Sequence, residues 1–324
     1  MSLVTRYSRL ATEVMEFIRG MHNLRSRHRG CVATIGNFDG IHLGHQAVLG
    51  QLAEQAARLQ QPTTVIIFEP QPQEYFAPES APPRLTRLRE KLLALRRYSV
   101  DRVLCLPFDK RLATMSAEDF IERILVQGLG VRYLVVGDDF RFGQGRKGDF
   151  AMLKAAGQAQ DFAVVNMHTF SIDGERVSST RLRAALAAGD LNGAEKQLGR
   201  PYRMCGRVAH GDKRGRSIGF PTANIHLHRH ATPVHGVFAV ELFGIEGEPV
   251  AGVANVGSRP TVDGTRSLLE VHLFDFDRDI YGRYVHVDFL HKLRAEQRFE
   301  SFEALKQQIL RDAEQAREFF RQGS

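Results

Sequence analysis

Two histidines in a glycine-rich segment are the first residues whose spacing suggests chemistry. Residues 36–45 read GNFDGIHLGH and follow a short apolar run that predicts a β-strand. Glycines let the backbone approach a ligand closely, and a helix beginning near His45 would offer free N–H groups to a phosphate. His42 and His45 are three residues apart, so both rings can donate to oxygens that gain charge in a transition state. The segment predicts a phosphate site; the alternative is a chance surface pair of histidines.

A second glycine-rich segment, residues 206–224, carries positive charge, and a basic glycine loop beside a strand can cradle phosphates. Thr222 and Asn224 stand at alternate positions near its end. In an extended chain both side chains face the same way, as the ligands of one hard cation require. A solvated turn is the alternative. The residues of this loop that we expect to contact phosphate are Gly211, Lys213, Gly215 and Gly219.

A glutamate in an alternating stretch is the candidate general base. Leu269, Val271 and Leu273 share one face of the predicted strand, whereas Glu270 and His272 share the other. A positioned carboxylate can accept a proton from a hydroxyl nucleophile. The alternative is an ordinary exposed strand glutamate.

The segments around the two histidines, which must position them, alternate between strand-like and helical patterns. Helical patterns include residues 90–98 and a helix from Ser116, where Asp119 completes a capping pair. This alternation predicts a parallel sheet covered on both faces, with binding sites at the carboxyl ends of the strands. The predicted strands are residues 31–35, 63–68, 102–106, 133–137 and 162–167.

After residue 200 the pattern changes to short alternating runs, residues 237–243, 267–274 and 284–289. These runs predict antiparallel strands that close a small barrel, and residues 300–321 predict a final helix packed on it. The sequence therefore predicts two unlike domains, residues 1–188 and 201–324, joined by a linker over residues 189–200.

Composition narrows the classes of function. The 324 residues carry a net charge of +7, which favours anionic ligands in general without choosing among them. The three cysteines form no Cys-x-x-Cys pair, and no apolar stretch approaches the length of a membrane span, so we expect a cytoplasmic chain without disulfide, zinc or membrane partner. The run at residues 143–148 matches GxGxxG but does not follow its strand directly, and GxxxxGK[ST] is absent from the sequence.

Taken together, these segments resemble the HxGH nucleotidyltransferases and, more narrowly, the bacterial bifunctional riboflavin kinase/FAD synthetase family. The resemblance covers nearly the whole chain in the family's order, and residues 215–224, GRSIGFPTAN, closely resemble the riboflavin kinase signature. It implies a Rossmann-like nucleotidyltransferase domain followed by a small β-barrel with a C-terminal helix. The other matching segments are residues 68–72, 137–143, 177–183, 236–240, 255–261, 270–276, 281–282 and 293–299.

For the first domain the resemblance implies that FMN phosphate attacks the α-phosphorus of ATP and expels pyrophosphate. His42, His45 and Arg181 would stabilise charge on the transferring group, and Asp139 and Phe142 would help to hold the flavin. Ser179 is a candidate cap for the helix that follows it. Many relatives have a histidine at the position of Gln71, which is therefore given no role. The remaining residues implied in ligand binding are Gly36, Phe38, Asp39, Gly40, Gly44, Ser179 and Thr180.

For the second domain the resemblance implies ATP-dependent phosphorylation of riboflavin. Glu270 would activate the 5′-hydroxyl, Thr222 and Asn224 would bind Mg²⁺ and ATP phosphate, and Arg294 would contact ligand. ATP is then the co-substrate of both domains, with riboflavin, FMN and FAD as the flavin partners.

Three rival interpretations remain. The first domain could serve another acceptor, such as phosphopantetheine or a choline-type phosphate, although an attached riboflavin kinase would supply FMN. The positive charge also permits RNA binding, but aromatic residues are not interleaved with the basic ones, as they are in many RNA-binding surfaces. Phosphate-bearing substrates already account for the charge, so we expect no nucleic-acid partner. One domain could also be inactive, but the candidate catalytic residues of both domains are present, which argues against it.

Because the linker is short and each domain has its own ATP loop, we expect no need to pass FMN directly between sites.

Overall fold

The computed structural model describes residues 15–137, 139–167, 170–210, 220–229, 231–245, 247–261 and 264–322. They form two compact units. The first, the sheet unit, comprises the described residues up to Pro82 together with Arg87–Val177. The second, the barrel unit, comprises Pro83–Thr86 and the described residues from Ser178 onward. Four residues from the first half of the chain therefore belong to the second unit.

The sheet unit contains a six-stranded parallel sheet in the order β1-β4-β3-β2-β5-β6. This confirms the predicted parallel sheet and all five predicted strands, with small shifts at their ends. The pattern does not predict β1, which pairs in parallel with β4 at the edge. The strands are β1 Glu16–Arg19, β2 Cys31–Ile35, β3 Thr63–Glu69, β4 Arg102–Pro107, β5 Val131–Gly137 and β6 Ala163–Met167.

The central strands are uniformly apolar because helices cover both faces of the sheet. Ile66, on one face, packs in a cluster with Leu104 and Leu134, whereas its neighbours Val65 and Ile67 pack in the cluster on the other face. The helices of this unit are α1 Leu43–Leu59, α2 Pro72–Phe76, α3 Leu88–Leu95, α4 Lys110–Ala113, α5 Ala117–Phe120, which continues as the π-helical segment Ile121–Gly128, and α6 Phe150–Gln160.

The order of the strands fixes where a ligand can bind. From β2 the chain adds β3 and β4 on one side and then returns to place β5 and β6 on the other. Ligands in open parallel sheets bind outside the carboxyl ends of the strands, at the point where this order reverses. The loop after β2, which carries the two histidines, lies at that point.

The barrel unit contains a closed antiparallel barrel in the order β10-β13-β12-β11-β14-β9. The predicted alternation is confirmed, because Leu269, Val271 and Leu273 are all buried in the barrel core. The remaining strands are the hairpin β7 Ser171–Ile172 and β8 Glu175–Arg176 of the sheet unit, then β9 Tyr202–Ala209, β10 Ala223–His226, β11 Gly236–Phe243, β12 Val250–Thr261, β13 Gly264–Leu273 and β14 Tyr284–Arg294.

Two helices join the barrel core, α7 Ser179–Ala188 and α8 Leu191–Leu198. The second occupies the segment predicted as a linker, residues 189–200. Its sequence LNGAEKQL places Leu191, Ala194 and Leu198 on one face, and all three are buried. This segment is therefore packed structure, begun by the Asp190 side chain, which accepts the Gly193 N–H.

The short segment Pro83–Thr86 is held tightly within the barrel unit. The carbonyls of Pro83, Arg84 and Leu85 accept hydrogen bonds from Arg183 Nε at 2.7 Å, Arg229 Nη1 at 2.8 Å and the Tyr202 hydroxyl at 3.1 Å. The Leu85 side chain is fully buried in the barrel core.

The C-terminal helix α9, Phe302–Gln322, packs on the outside of the barrel as predicted. Ala313 and Ala316 are buried in a cluster with Val237, Ala239 and Val253. None of the helices in the described part of the chain combines the length and apolarity needed to cross a membrane.

The three cysteines are buried and free, as the composition predicts. Burial raises the pKa of the Cys31 thiol to about 11. Since the thiolate is the reactive form, Cys31 is an inert packing residue.

Replacing Leu85 by Ala will destabilise the barrel unit, although the residue lies in the first half of the chain. A buried Leu→Ala change costs about 2–5 kcal/mol, whereas the control Leu93→Ala, at an exposed leucine of α3, will change stability by less than about 0.5 kcal/mol. Hydrogen exchange of the full chain in mild urea, read peptide by peptide, will show lost protection in β9–β14. Loss confined to β1–β6 would contradict the described packing.

Candidate active sites

The loop between β2 and α1 is held in an unusual backbone conformation. Gly40 has a φ of 88°, and Phe38 and Ile41 both have a φ of 46°, in the left-handed region that non-glycine residues rarely adopt. The Phe38 and Ile41 side chains are 2% and 0% exposed, and this burial holds the backbone there. Such conformations concentrate at ligand sites, where packing sustains them.

His42 caps the helix that carries its partner. Helix α1 begins at Leu43, two residues before the predicted start near His45, because the Nδ1 atom of His42 accepts the backbone N–H of His45 at 3.3 Å. An imidazole nitrogen that accepts a hydrogen bond carries no hydrogen itself. The His42 ring is therefore neutral with its hydrogen on Nε2, and this N–H can be donated to a ligand.

The two rings stack at the start of α1. The His42 and His45 centroids are 3.7 Å apart with planes inclined by 16°, and Phe38 lies 4.8 Å from His45 on a tilted contact. Burial holds the pKa of His45 well below its usual value of 6.5, and the positive charge of Lys91, together with that of His42 whenever it is protonated, acts in the same direction. His45 is thus a neutral imidazole at neutral pH. Its Nδ1 atom is buried and has no hydrogen-bond partner among the residues that the structure describes.

Lys91 is a site residue that the sequence analysis missed. It lies in α3 and is 0% exposed, and its positive charge acts on His45. The sequence does indicate that Lys91 is buried, because it stands three residues after Leu88 and four before Leu95. This spacing places it on the apolar face of α3. A lysine on the buried face of a helix is rarely retained for packing alone.

The carboxyl end of β5 presents the two residues predicted to hold the flavin. Asp139 accepts a hydrogen bond from Arg176 at 2.9 Å, and both side chains are largely exposed. Phe142 is 6% exposed and packs against Phe120 and Phe140, with centroid distances of 5.4 and 5.6 Å. Its ring supports the loop after β5, and the contact with flavin stays a prediction. Asp138 lies outside the described residues.

An exposed aromatic cluster beside β3 is a second feature that the sequence analysis missed. Tyr75 and Phe76 of α2 contact each other and Phe108, with centroid distances of 5.2–5.6 Å, and Phe76 is 66% exposed. Phe108, which follows β4, donates its N–H to the Glu69 carbonyl at the end of β3. Exposed aromatic rings at the ligand edge of a sheet offer a flat apolar surface.

The helix that carries Arg181 belongs to the barrel unit. Its cap is Ser178 and not the predicted Ser179, because the Ser178 hydroxyl accepts the Arg181 N–H at 3.3 Å. Ser179, Thr180 and Arg181 form the first turn of α7, where the helix dipole favours an anion.

A row of polar side chains crosses three strands on the outer face of the barrel. Glu270 of β13 is directly paired with Asn224 of β10 on one side and with Asn255 of β12 on the other. The neighbouring residues of these strands point into the core, so period-two alternation places all three side chains outside. Thr222 precedes β10 on the same face, and the Asn224 amide donates to its carbonyl at 3.4 Å.

A second carboxylate lies close to this row. A Cβ at Gly257 would stand 2.2 Å from Glu296 Oε1 and 3.6 Å from Asn255 Nδ2, so only glycine permits this approach. Asn255 and Glu296 lie within segments that match the family, but their sequence context predicts no role for them. Asn255 could have been recognised from the sequence because it is a polar residue within the apolar run of β12.

His272 and Arg294 hold the surroundings of the row. His272 Nδ1 lies 2.9 Å from the Pro221 carbonyl, which ties residues 221–224 to β13. Arg294 donates Nε and Nη2 to Asp312 of α9 at 2.8 and 2.7 Å, and Nη1 to the Ala295 carbonyl at 2.9 Å. Arg294 thus fixes α9, and its ligand contact stays a prediction. The predicted phosphate loop, with Gly211, Lys213, Gly215 and Gly219, lies outside the described residues.

Comparison with protein families divides the chain in the same order. A model described as FAD synthetase matches residues 24–181, and one described as riboflavin kinase matches residues 198–320. Proteins named bifunctional riboflavin kinase/FMN adenylyltransferase are 53% identical in Escherichia coli K12 over 94% of this chain and 98% of that protein, and 55% identical in Pseudomonas fluorescens over 94% and 97%. The chain belongs to the bifunctional riboflavin kinase/FMN adenylyltransferase family.

A solved structure covers both units of this family's architecture. A protein from Streptococcus pneumoniae described as a macrolide-efflux protein superposes with a TM-score of 0.79 at 31% identity, over 94% of this chain and 99% of that one. The predicted family is therefore confirmed by sequence, and the sheet-plus-barrel fold by structure. Membership of this family does not support the other acceptors considered for the first domain, phosphopantetheine and choline-type phosphates.

In this family member the burial of His45 has a consequence for stability. A histidine whose folded pKa lies below its unfolded value stabilises the fold fully above that unfolded value, and the stability is lost as the pH falls below it. His45→Gln should therefore reduce the loss of sheet-unit stability between about pH 7.5 and about pH 5.5. Urea titrations read by hydrogen exchange in β2–β5 will measure it.

The matched control is His22→Gln, at an exposed histidine of the same unit, which should keep the pH dependence of the unchanged protein. An equal reduction in both variants would show that burial of His45 is not the cause.

Proposed function

We propose that the two units carry out the two reactions in the family's name. The barrel unit phosphorylates riboflavin with ATP to give FMN, and the FMN adenylyltransferase region, residues 24–181, joins FMN to AMP to give FAD and pyrophosphate. The observation that carries this proposal is the presence of both family matches in one chain. The residue roles below rest on the geometry of each region.

In adenylyl transfer an oxygen of the FMN phosphate forms a bond to the α-phosphorus of ATP. The bond from that phosphorus to the bridging oxygen breaks, and pyrophosphate leaves with the electron pair. The attacking phosphate is already anionic, so no general base is required. Catalysis is stabilisation of the charge on the transferring group and positioning of the two reactants.

His42 supplies a neutral donor to that charge, because its cap bond places the ring hydrogen on Nε2. The start of α1 adds free backbone N–H groups and the helix dipole. Lys91 adds a positive charge that acts on His45. Ser179, Thr180 and Arg181 keep, as a proposal, the roles in ligand binding and charge stabilisation that the family resemblance implies.

The flavin ring is proposed to lie on the exposed aromatic cluster of Tyr75, Phe76 and Phe108. An isoalloxazine is large and flat, and exposed rings bury it with little loss of side-chain freedom. The glycines of the β2–α1 loop, together with Phe38 and Asp39, are proposed to shape the nucleotide site.

In the barrel unit Glu270 accepts the proton of the riboflavin 5′-hydroxyl. The oxygen forms a bond to the γ-phosphorus of ATP, and ADP leaves with the electrons of the broken bond. Asn224 and Asn255 flank Glu270 in register and are proposed to orient the carboxylate and the phosphates.

The oxygen-bearing side chains of this row fit Mg²⁺, a hard cation that prefers oxygen ligands and phosphates. Thr222 and Asn224 would hold it, as predicted. When bound, Mg²⁺ neutralises phosphate charge.

The remaining expectations are also part of this proposal. They are a cytoplasmic location, the absence of a nucleic-acid partner and free release of FMN between the two reactions.

The first test is a time course with riboflavin, ATP and Mg²⁺ that separates riboflavin, FMN and FAD by chromatography. Glu270→Gln should slow FMN formation by about 10²–10⁴-fold, because it removes the base, and leave FAD formation from added FMN unchanged. Glu241→Gln, an outer-face glutamate of β11, is the matched control. Normal FMN formation by Glu270→Gln would remove Glu270 from the mechanism.

The complementary variant is His42→Ala, which should accumulate FMN and slow FAD formation by about 10²–10³-fold because a transition-state donor is lost. His22→Ala is its control. If the unchanged protein forms FMN but no FAD, the adenylyltransferase half of the proposal fails.

The magnesium role has its own test. Asn224→Ala should raise the Mg²⁺ concentration needed for half-maximal riboflavin phosphorylation, and should leave that for FAD formation from FMN unchanged. An unaltered Mg²⁺ requirement would exclude Asn224 as a ligand.

A further inference from the structure

The side chain of Gln71 is a buried amide that the roles above leave unused. Gln71 lies two residues beyond the end of β3 and is 5% exposed. Its Nε2 atom is buried and has no hydrogen-bond partner within the described ranges of the chain. Buried side-chain donors are nearly always paired, so an unpaired one needs an explanation.

Disorder of the segment does not explain it, because the main chain of Gln71 is fully engaged. Its N–H donates to Glu74 Oε2 at 2.8 Å, and its carbonyl accepts the N–H groups of Glu74 and Tyr75 at 2.9 and 3.2 Å. These bonds start α2 and hold Gln71 in place. Only the side-chain donor is left without a partner.

The position of Gln71 connects it with a ligand. β3 pairs in parallel with β2, so Gln71 lies at the same edge of the sheet as the histidine loop. Helix α2, which begins directly after Gln71, ends with the exposed Tyr75 and Phe76. A buried donor that directly precedes the helix carrying exposed aromatic rings suits a flat heteroaromatic ring with carbonyl oxygens on its rim, since the face can stack while a carbonyl accepts.

We propose that Gln71 Nε2 donates a hydrogen bond to a ring carbonyl of the isoalloxazine when FMN binds in the sheet unit. Gln71 is then a specificity residue for the flavin acceptor in adenylyl transfer, an inference that rests on the proposed function. A phosphate oxygen is a poorer match. The triphosphate carries several negative charges, and the start of α1 and His42 already offer donors to it, whereas a neutral amide suits a neutral carbonyl.

The test is steady-state adenylyl transfer from FMN and ATP by the full chain. Gln71→Ala should raise the KM for FMN by about three- to tenfold, the loss of one hydrogen bond, and leave kcat and the KM for ATP within about twofold. Gln71→Met keeps the approximate shape without the donor and should resemble Gln71→Ala. Gln71→His keeps a donor and should restore the KM to within about twofold.

The matched control is Gln73→Ala, at an exposed glutamine of the same helix, which should leave both KM values unchanged. An unchanged KM for FMN in Gln71→Ala would overturn the proposal. A KM for ATP that rises as much as that for FMN would also overturn it and would assign the amide to the nucleotide or to folding. Failure of the proposed function is seen separately, because the unchanged protein would then form no FAD.

Discussion

The hydrogen bond from the His45 backbone to His42 Nδ1 is the contact on which the sheet-unit site depends. One bond starts helix α1, fixes which nitrogen of His42 carries the hydrogen, and brings the two imidazoles into a stack 3.7 Å apart. A serine or aspartate would cap the helix equally well. Only histidine caps it and still presents a donor from the far side of the same ring.

The barrel-unit site depends on a different constraint, the register of an antiparallel sheet. Because side chains alternate, the same strands that send Ile225, Leu269 and Val256 into the core must send their neighbours outside. Register then aligns Asn224, Glu270 and Asn255 in one row. A shift of one residue in any of the three strands would bury a polar side chain, so the core that stabilises the barrel also maintains the row.

Much of this architecture is predictable from the sequence because its patterns are local. The buried strands β2–β6 and the alternating strands of the barrel follow from apolar runs and period two. What could not be predicted depends on distant partners: the edge strand β1 needs β4, and Leu85 is buried only because Tyr202, Arg183 and Arg229 hold the carbonyls around it. The start of α1 differed by two residues because a histidine is an uncommon cap, and the cap of α7 differed by one because Ser178 and Ser179 are adjacent serines.

His45 and Lys91 place ionisable groups in surroundings from which water is largely excluded, and this has a consequence for the chemistry of the sheet-unit site. Burial holds the pKa of His45 down and so keeps the ring neutral. The same exclusion of water strengthens every donor that faces the phosphates. Positive charge then comes from Lys91 and from the dipole at the start of α1. The site thus separates charge from hydrogen-bond donation, which lets neutral imidazoles act on an anionic reaction without a change in their own protonation.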